Sequence, residues 1–470
     1  MENSCSIVYP SLQKIADIVG GNLYAPHLES KNDTITGVSS DSRKIEAGNL
    51  FVAISGERYD GHDFVKEAEN IGARVSLVTS EWHNQQPQGE IPYGARIIVP
   101  DVIKGLQAFS HWYRCQFQLP VVSVTGSNGK TTTKDIIANI LGTTSNVFKT
   151  QGNLNSQLGV AESIFALTEE HDIAVFELGM NHAGQLDRLA NMVQPEVGVI
   201  TNVGPAHIEF FNTIEDIAHA KGEILDYLPQ DGSAVLNADD PLVMGESHRC
   251  KGSVITFGRT KDADIRLLSV KVDPSGSWFT LSDGFEFHIN LLGEHQVMNA
   301  LAAVAVGRIF GLRDEEIAIG LEKVSSSPMR MDYHKTGGVF LIDDTYNANP
   351  SSMKAALRVL DITQGRKLVV LGDMLELGEM SLAAHMELGK DAARVADLIF
   401  TVGEYAEVTA EGAINHGGAS LSVITCLSTG DAISKVLTRI SENDVVLVKG
   451  SRGMKMEIIV ESIEAHISKK

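Results

Sequence analysis

The strongest constraint on the fold is a rhythm: short apolar runs alternate with amphipathic helical patterns along most of the chain. Val121-Val122-Ser123-Val124 leads into Gly-Ser-Asn-Gly and a helical pattern from about Lys130, and similar apolar runs follow at 173–176, 197–200 and 234–236. A strand buried on both faces reads as a continuous apolar run, and an intervening helix returns the chain for a parallel neighbour. This order therefore specifies a mostly parallel sheet with helices on both faces. A further block starts near Pro328 and repeats the rhythm, with runs at 339–342, 368–371, 398–402 and 445–448. The first hundred residues carry shorter β-like runs at 50–54 and 97–99 and turns at Gly48, Gly56 and Gly61. A helical stretch over 102–114 then leads to Leu119-Pro120 as a connector. The chain has 470 residues, the length of about three domains. The fold class expected is α/β in three units, divided near residues 100 and 328.

Composition narrows the partners. Hydrophobic residues make up 43% and charged residues 21%, which excludes a mainly disordered or fibrous chain. Thirty-nine Lys and Arg face 60 Asp and Glu, giving a net charge of −21. Such a surface repels a phosphate backbone, so no nucleic-acid partner is expected, although a local basic pocket for a small phosphorylated ligand is compatible with it. Cys5, Cys115, Cys250 and Cys426 lie far apart with no CxxC pair, as reduced thiols do. No uncharged apolar stretch approaches the roughly 20 residues that span a bilayer. The start, Met-Glu-Asn-Ser-Cys, lacks a basic segment followed by an apolar core. The expectation is a cytoplasmic protein without membrane insertion.

The sharpest local signal is Thr125-Gly126-Ser127-Asn128-Gly129-Lys130-Thr131-Thr132-Thr133, between a strand and a helix. Glycines let the backbone curl so that its N–H groups, with the helix N-terminus, face a phosphate. Lys130 would reach the outer phosphates and the Thr131 hydroxyl could hold Mg²⁺. The position six before Lys130 is Val124, so the spacing departs from the ordinary P-loop. Glu177 and His207 follow two other buried runs; either alone reads as a cap or surface residue, but both end beside the phosphate loop. Lys221 lies within a stripe of apolar residues at 214, 217, 218, 224, 225 and 228. Helical geometry at about 100° per residue leaves two readings open: the lysine snorkels outward, or it points inward with its charge neutralised or its chemistry altered. In the last block, Asp343-Asp344-Thr345-Tyr346-Asn347-Ala348-Asn349-Pro350, Gly372-Asp373-Met374-Leu375-Glu376 and Lys449-Gly450-Ser451-Arg452 all follow apolar runs. Ligands of open α/β sheets bind at those carboxyl ends.

Taken together, these residues make the chain resemble the Mur ligases, the ATP-dependent amino-acid and peptide ligases of bacterial peptidoglycan assembly. The similarity rests on the phosphate loop at 125–132, Glu177, Asn202 to His207, Lys221 and Gly293-Glu294-His295-Gln296-Val297-Met298-Asn299-Ala300. The segment Asp343 to Pro350, with Leu375-Glu376-Leu377-Gly378-Glu379 and His385, resembles the dipeptide-adding branch. Asp41-Ser42-Arg43 and Gly56-Glu57-Arg58-Tyr59-Asp60-Gly61-His62 resemble that branch's UDP-sugar end. The resemblance implies a UDP-substrate domain over 1–100, a central ATP-binding ligase domain over 101–327 and a Rossmann-like domain over 328–470. It implies ATP and Mg²⁺ as cofactors, UDP-N-acetylmuramoyl-tripeptide and D-alanyl-D-alanine as substrates, and a monomer.

By the same resemblance the catalytic set is Lys130, Glu177, His207 and Lys221. ATP falls to Gly126, Ser127, Asn128, Gly129, Lys130, Thr131, Thr132, Asn299, Arg330 and Asp344. The UDP-substrate falls to Ser40, Asp41, Ser42, Arg43 and Asn155, and metal to Thr131, Glu177, His207 and a carbamylated Lys221. Two positions depart from the family pattern: Ser156 stands where an asparagine pair is expected to end, and Met329 where relatives often have glycine. The competing expectations are another Mur-type ligase such as the one adding the third amino acid, a folylpolyglutamate synthase, a P-loop ATPase or kinase, and a non-catalytic nucleotide-binding scaffold.

Overall fold

The computed structural model describes residues 9–26, 32–56, 59–87, 94–273 and 275–468. Cys5, Glu57 and Arg58 lie outside them. Three sheets follow one another along the chain, of five, nine and six described strands. In the first, strands Val38–Ser39, Leu50–Val52, Val75–Thr79 and Ala95–Val99 pair in parallel, and Asn22–Tyr24 adds an antiparallel edge.

The central sheet places Val121–Thr125 between Ile173–Glu177 and Val197–Ile200, all parallel. These strands are fully buried, as their apolar runs require. The sheet continues through Ser233–Asn237 and Ser253–Gly258 into an antiparallel meander of Ile265–Asp273, Gly276–Leu281 and Glu286–Ile289. The strand–helix rhythm did not announce this meander. Its strands alternate buried and exposed side chains because one face stays toward solvent.

In the third sheet Val339–Asp344, Lys367–Gly372, Leu398–Val402, Ser422–Cys426 and Val445–Lys449 are parallel, with Asp332–Thr336 as an antiparallel edge. Among the described residues Cys115, Cys250 and Cys426 are free thiols, and no helix is long and apolar enough to cross a membrane.

Two helices set the geometry of the clefts. Val102–Arg114, capped by Asp101 accepting from the Lys104 N–H at 3.0 Å, buries Leu106 and Phe109. Those side chains belong to one apolar core that also holds Leu12 and Val99 of the first unit and Val160 and Ile164 of the second. The connector is thus a shared wall between two units. Glu294–Ile309 is apolar almost all round and accordingly buried. It packs along Lys130–Leu141 and brings Asn299 against the phosphate loop.

One element is shorter than its stripe suggested. The α-helix carrying Lys221 ends at Gly222 and tightens into a 3₁₀ turn over Glu223–Tyr227. Gly222 lies against the Glu246 carboxylate, where a Cβ would sit 2.4 Å from Oε2. The stripe still faces inward, with Ile217, Ala218, Ile224, Leu225 and Leu228 buried.

Candidate active site

The loop after Val121–Thr125 curls because two glycines adopt positive φ: Gly126 at 149° and Gly129 at 81°. Both positions are also sterically closed to a side chain. A Cβ on Gly126 would lie 1.9 Å from Thr201 Oγ1, and one on Gly129 would lie 2.3 Å from Asn299 Oδ1. The neighbouring strand's end locks the curl. The Ser127 N–H donates to the Asn202 carbonyl at 2.9 Å and the Asn128 N–H to Asn202 Oδ1 at 2.9 Å. Thr201 Oγ1 donates to the Asn128 carbonyl at 2.6 Å. Lys130 Nζ sits within the curve, donating to the Gly126 carbonyl at 2.8 Å. Helix Lys130–Leu141 begins there, so its first N–H groups and the positive end of its dipole point at the same space.

That space is a cavity of about 850 Å³ lined from all three units: Ile54 of the first, Lys130, Thr131, Glu177 and His207 of the second, and Asp344 of the third. Asn299 and Arg330 line it as well. Glu177 is 1% exposed. Its Oε1 accepts from Asn155 Nδ2 at 2.6 Å, while Oε2 has no hydrogen-bond partner; Lys134 Nζ stands 4.0 Å away. The Thr131 hydroxyl is likewise buried without a partner. Two orphaned oxygens beside an anion-binding curl are the donors a hard divalent cation takes, with phosphate supplying the remaining ligands. Among the described residues no cluster of three or more His, Cys, Asp or Glu could hold a metal by itself.

His207 has a left-handed backbone at φ 63°, and its Nδ1 is hydrogen-bonded to the Glu376 carboxylate of the third unit. Burial lowers the pKa of its imidazole; Glu376 opposes that shift, while Lys130 and Lys221 reinforce it. Lys221 is 3% exposed and points inward, which decides between its two readings. Burial first, and then the Lys130 cation, hold its ammonium well below the usual lysine range. It is not among the residues that line the cavity. Burial that disfavours the ammonium favours the free amine, which is the form that adds carbon dioxide.

The third unit closes the cavity. Asn349 Nδ2 donates to Asn128 Oδ1 at 2.7 Å, from the N-cap of helix Pro350–Asp361 to the phosphate loop. Arg330 stacks over Tyr346 with 3.6 Å from its guanidinium carbon to the ring centroid. Asp344 accepts from the Met331 N–H at 3.1 Å and from Lys449 Nζ at 2.5 Å, so both oxygens of this half-buried carboxylate are paired.

Three similarities decide the family. Residues 34–113 match the Mur ligase family catalytic domain, 124–307 the Mur ligase middle domain, and 329–452 the Mur ligase glutamate ligase domain. The chain is 38% identical to the UDP-N-acetylmuramoyl-tripeptide–D-alanyl-D-alanine ligase of Bacillus subtilis, over 96% of this chain and 98% of that protein. The chain belongs to the Mur ligase family. Its fold superposes on the crystal structure of MurF from Acinetobacter baumannii with a TM-score of 0.87 at 32% identity, covering 97% of this chain and 99% of that one. MurF from Thermotoga maritima, solved in complex with ADP, gives 0.82 at 30% identity over 92% and 98% of the two chains. This Mur ligase therefore has the three-domain α/β architecture of those structures, with a nucleotide loop of the family's middle domain.

The expected site residues fall into two groups. Ser127 to Thr132, Asn155, Glu177, His207, Asn299, Arg330 and Asp344 line one cavity, while Gly126 and Lys221 are not among its lining residues. Ser40, Asp41, Ser42 and Arg43 are not among its lining residues. Ser40 hydrogen-bonds Glu162 of the central unit, and Arg43 forms an exposed pair with Asp41 at 2.8 Å. Asn155, expected at the UDP end, lines the shared cavity and donates to Glu177, while Ser156 caps helix Gln157–Ile164. The expectations omitted Thr201, Asn349 and Tyr346 as functional side chains. Asn349 had a legible signal in Asn-Ala-Asn-Pro, an N-cap followed by proline at the first helical position. Thr201 had none, because its role depends on register between neighbouring strands.

Proposed function

We infer that this chain is an ATP-dependent ligase that joins D-alanyl-D-alanine to UDP-N-acetylmuramoyl-tripeptide, giving the pentapeptide precursor of peptidoglycan, ADP and phosphate. The observation that carries this reading is the near-full-length similarity to relatives of that name, combined with one cavity lined by all three units. In this reading the domains divide at 1–100, 101–327 and 328–470. They bind the UDP end, the nucleotide and the dipeptide respectively, with Ser40 to Arg43 at the UDP end.

The loop N–H groups and Lys130 hold the ATP phosphates, with Asn299, Arg330 and Asp344 on the nucleotide side. A carboxylate oxygen of the tripeptide attacks the γ-phosphorus and ADP departs. The amine of D-alanyl-D-alanine then attacks the acyl carbonyl, losing a proton, and phosphate leaves with that carboxylate oxygen. A free carboxylate is a poor acylating agent, and phosphorylation supplies its leaving group. Holding both reactants in one closed space makes the attack local and keeps water from the acyl phosphate.

Magnesium fits the orphaned Thr131 hydroxyl and Glu177 carboxylate, with His207 in its surroundings, and supplies charge neutralisation of the crowded phosphates. Lys221, whose ammonium form burial disfavours, takes up carbon dioxide as a carbamate, with loss of one proton. This converts it to an anion beside Lys130. The protein works in the cytoplasm as a monomer.

The test is phosphate release from ATP with UDP-N-acetylmuramoyl-tripeptide, with and without D-alanyl-D-alanine, and mass analysis of the product. Release requiring both, with a UDP-pentapeptide formed, supports the reading. Release indifferent to the dipeptide makes the protein an ATPase or a ligase of another acceptor.

A further inference from the structure

His207 and Glu376 come from different units, and each is a non-glycine residue in the left-handed region, at φ 63° and 62°. Such conformations cost free energy and persist where surrounding contacts fix them. Here the contacts are mutual. Glu376 accepts from His207 Nδ1, and its backbone carbonyl accepts from the Glu209 N–H at 3.3 Å. Gly378, also at positive φ, packs beside Glu209, where an added Cβ would make ordinary contact at 3.6 Å from that residue's Cα. The loop after Lys367–Gly372 is therefore seated on the segment that carries His207.

A carboxylate can only accept, so the Nδ1 position carries the proton and Nε2 keeps its lone pair. The ring lines the main cavity, Nδ1 faces the third unit, and Nε2 is the nitrogen left for the cavity.

We propose that Glu376 is a positioning residue: docking of the C-terminal unit fixes the His207 ring and tautomer, so that the metal surroundings are completed only when that unit is closed. The proposal rests on the reading of His207 as part of the magnesium surroundings. It makes closure and cation binding one event. Outer carboxylates that orient an imidazole are typically worth 10–100-fold in metal affinity or activity.

The experiment titrates Mn²⁺ into the ADP-saturated full-length protein by electron paramagnetic resonance. The proteins compared are wild type, E376A, E376Q, H207A and H207A/E376A. E376A and H207A should each weaken Mn²⁺ binding about tenfold. The double variant should match H207A, because Glu376 acts through the ring. E376Q should stay near wild type, since its carboxamide oxygen still accepts from Nδ1–H. Unchanged Mn²⁺ affinity in E376A with a weakened H207A overturns the coupling and leaves the His207 reading standing. An unchanged H207A overturns both. A double variant weaker than H207A makes Glu376 an independent domain latch and also overturns the proposal. Should E376A fail to fold, E376D withdraws the carboxylate by one methylene and carries the same test.

Discussion

Gly126→Ala is the most informative single substitution, because two separable costs meet at one atom. The backbone at φ 149° lies where side chains are rarely accommodated, which costs about 1–3 kcal/mol. The new methyl would also stand 1.9 Å from Thr201 Oγ1 and must displace it. That hydroxyl donates to the Asn128 carbonyl at 2.6 Å; the carbonyl keeps a second donor in Asn202 Nδ2 at 3.1 Å, so losing the hydroxyl's bond costs about another 0.5–1.5 kcal/mol. The sum is about 1.5–4.5 kcal/mol, concentrated in the glycine loop. Urea denaturation and ADP titration measure the two consequences. Gly284→Ala is the control: its φ is 90° but nothing lies within 4 Å of the added methyl, so it carries the backbone cost alone. G126A should cost more than G284A and weaken ADP at least tenfold, while G284A binds ADP normally. In G126A/T201A the obstructing oxygen is gone, so the two costs should fall short of their sum. Equal stabilities for G126A and G284A, or strict additivity in the double variant, would refute the steric account of the loop.

Other expectations are as direct. Lys449→Met leaves the half-buried Asp344 without its cation and should cost about 1–3 kcal/mol in urea denaturation, less than for a fully buried pair. The double change with D344N should recover much of that loss. Lys221→Ala should lower ligase activity by about two orders of magnitude without rescue by bicarbonate. It should also remove the carbamate signal seen by carbon NMR in isotope-labelled bicarbonate; an unimpaired variant rules out the carbamate. Burial holds His295 down at about 4, so the folded protein keeps it neutral where the unfolded chain is protonated. Its contribution is complete above the unfolded value near 6.5 and is lost as pH falls toward 4. The change is roughly 1–2 kcal/mol, reduced because the ring keeps partial solvent contact. H295Q should flatten the stability profile in that window and leave it unchanged above.

The parallel strands were legible because double burial writes itself as uninterrupted apolar residues. Ile173–Glu177 and Val197–Ile200 differ from the expected runs by at most one residue. The meander after Ser253–Gly258 was not, since its edge strands mix Ser, Lys, Thr and Glu with apolar residues on one face only. At the site, Gly126 to Thr132 is contiguous and carries its chemistry in residue type, so it could be read locally. Lys221 could be placed on an apolar stripe, but its inward direction depends on tertiary packing, in which Lys221, Ile217, Ile224 and Leu225 are all buried. Contacts between units were illegible. Asn128 meets Asn349 across 221 positions and His207 meets Glu376 across 169, and no local pattern reports such distances.

The central claim is that one cavity couples phosphoryl transfer from ATP to amide formation at the tripeptide carboxylate. The direct measurement labels that carboxylate with heavy oxygen and follows the label during turnover with ATP and D-alanyl-D-alanine. The account predicts that each amide formed delivers one labelled oxygen to inorganic phosphate, and that Glu177→Gln suppresses label transfer and amide together. Amide formation with unlabelled phosphate would contradict the acyl-phosphate route.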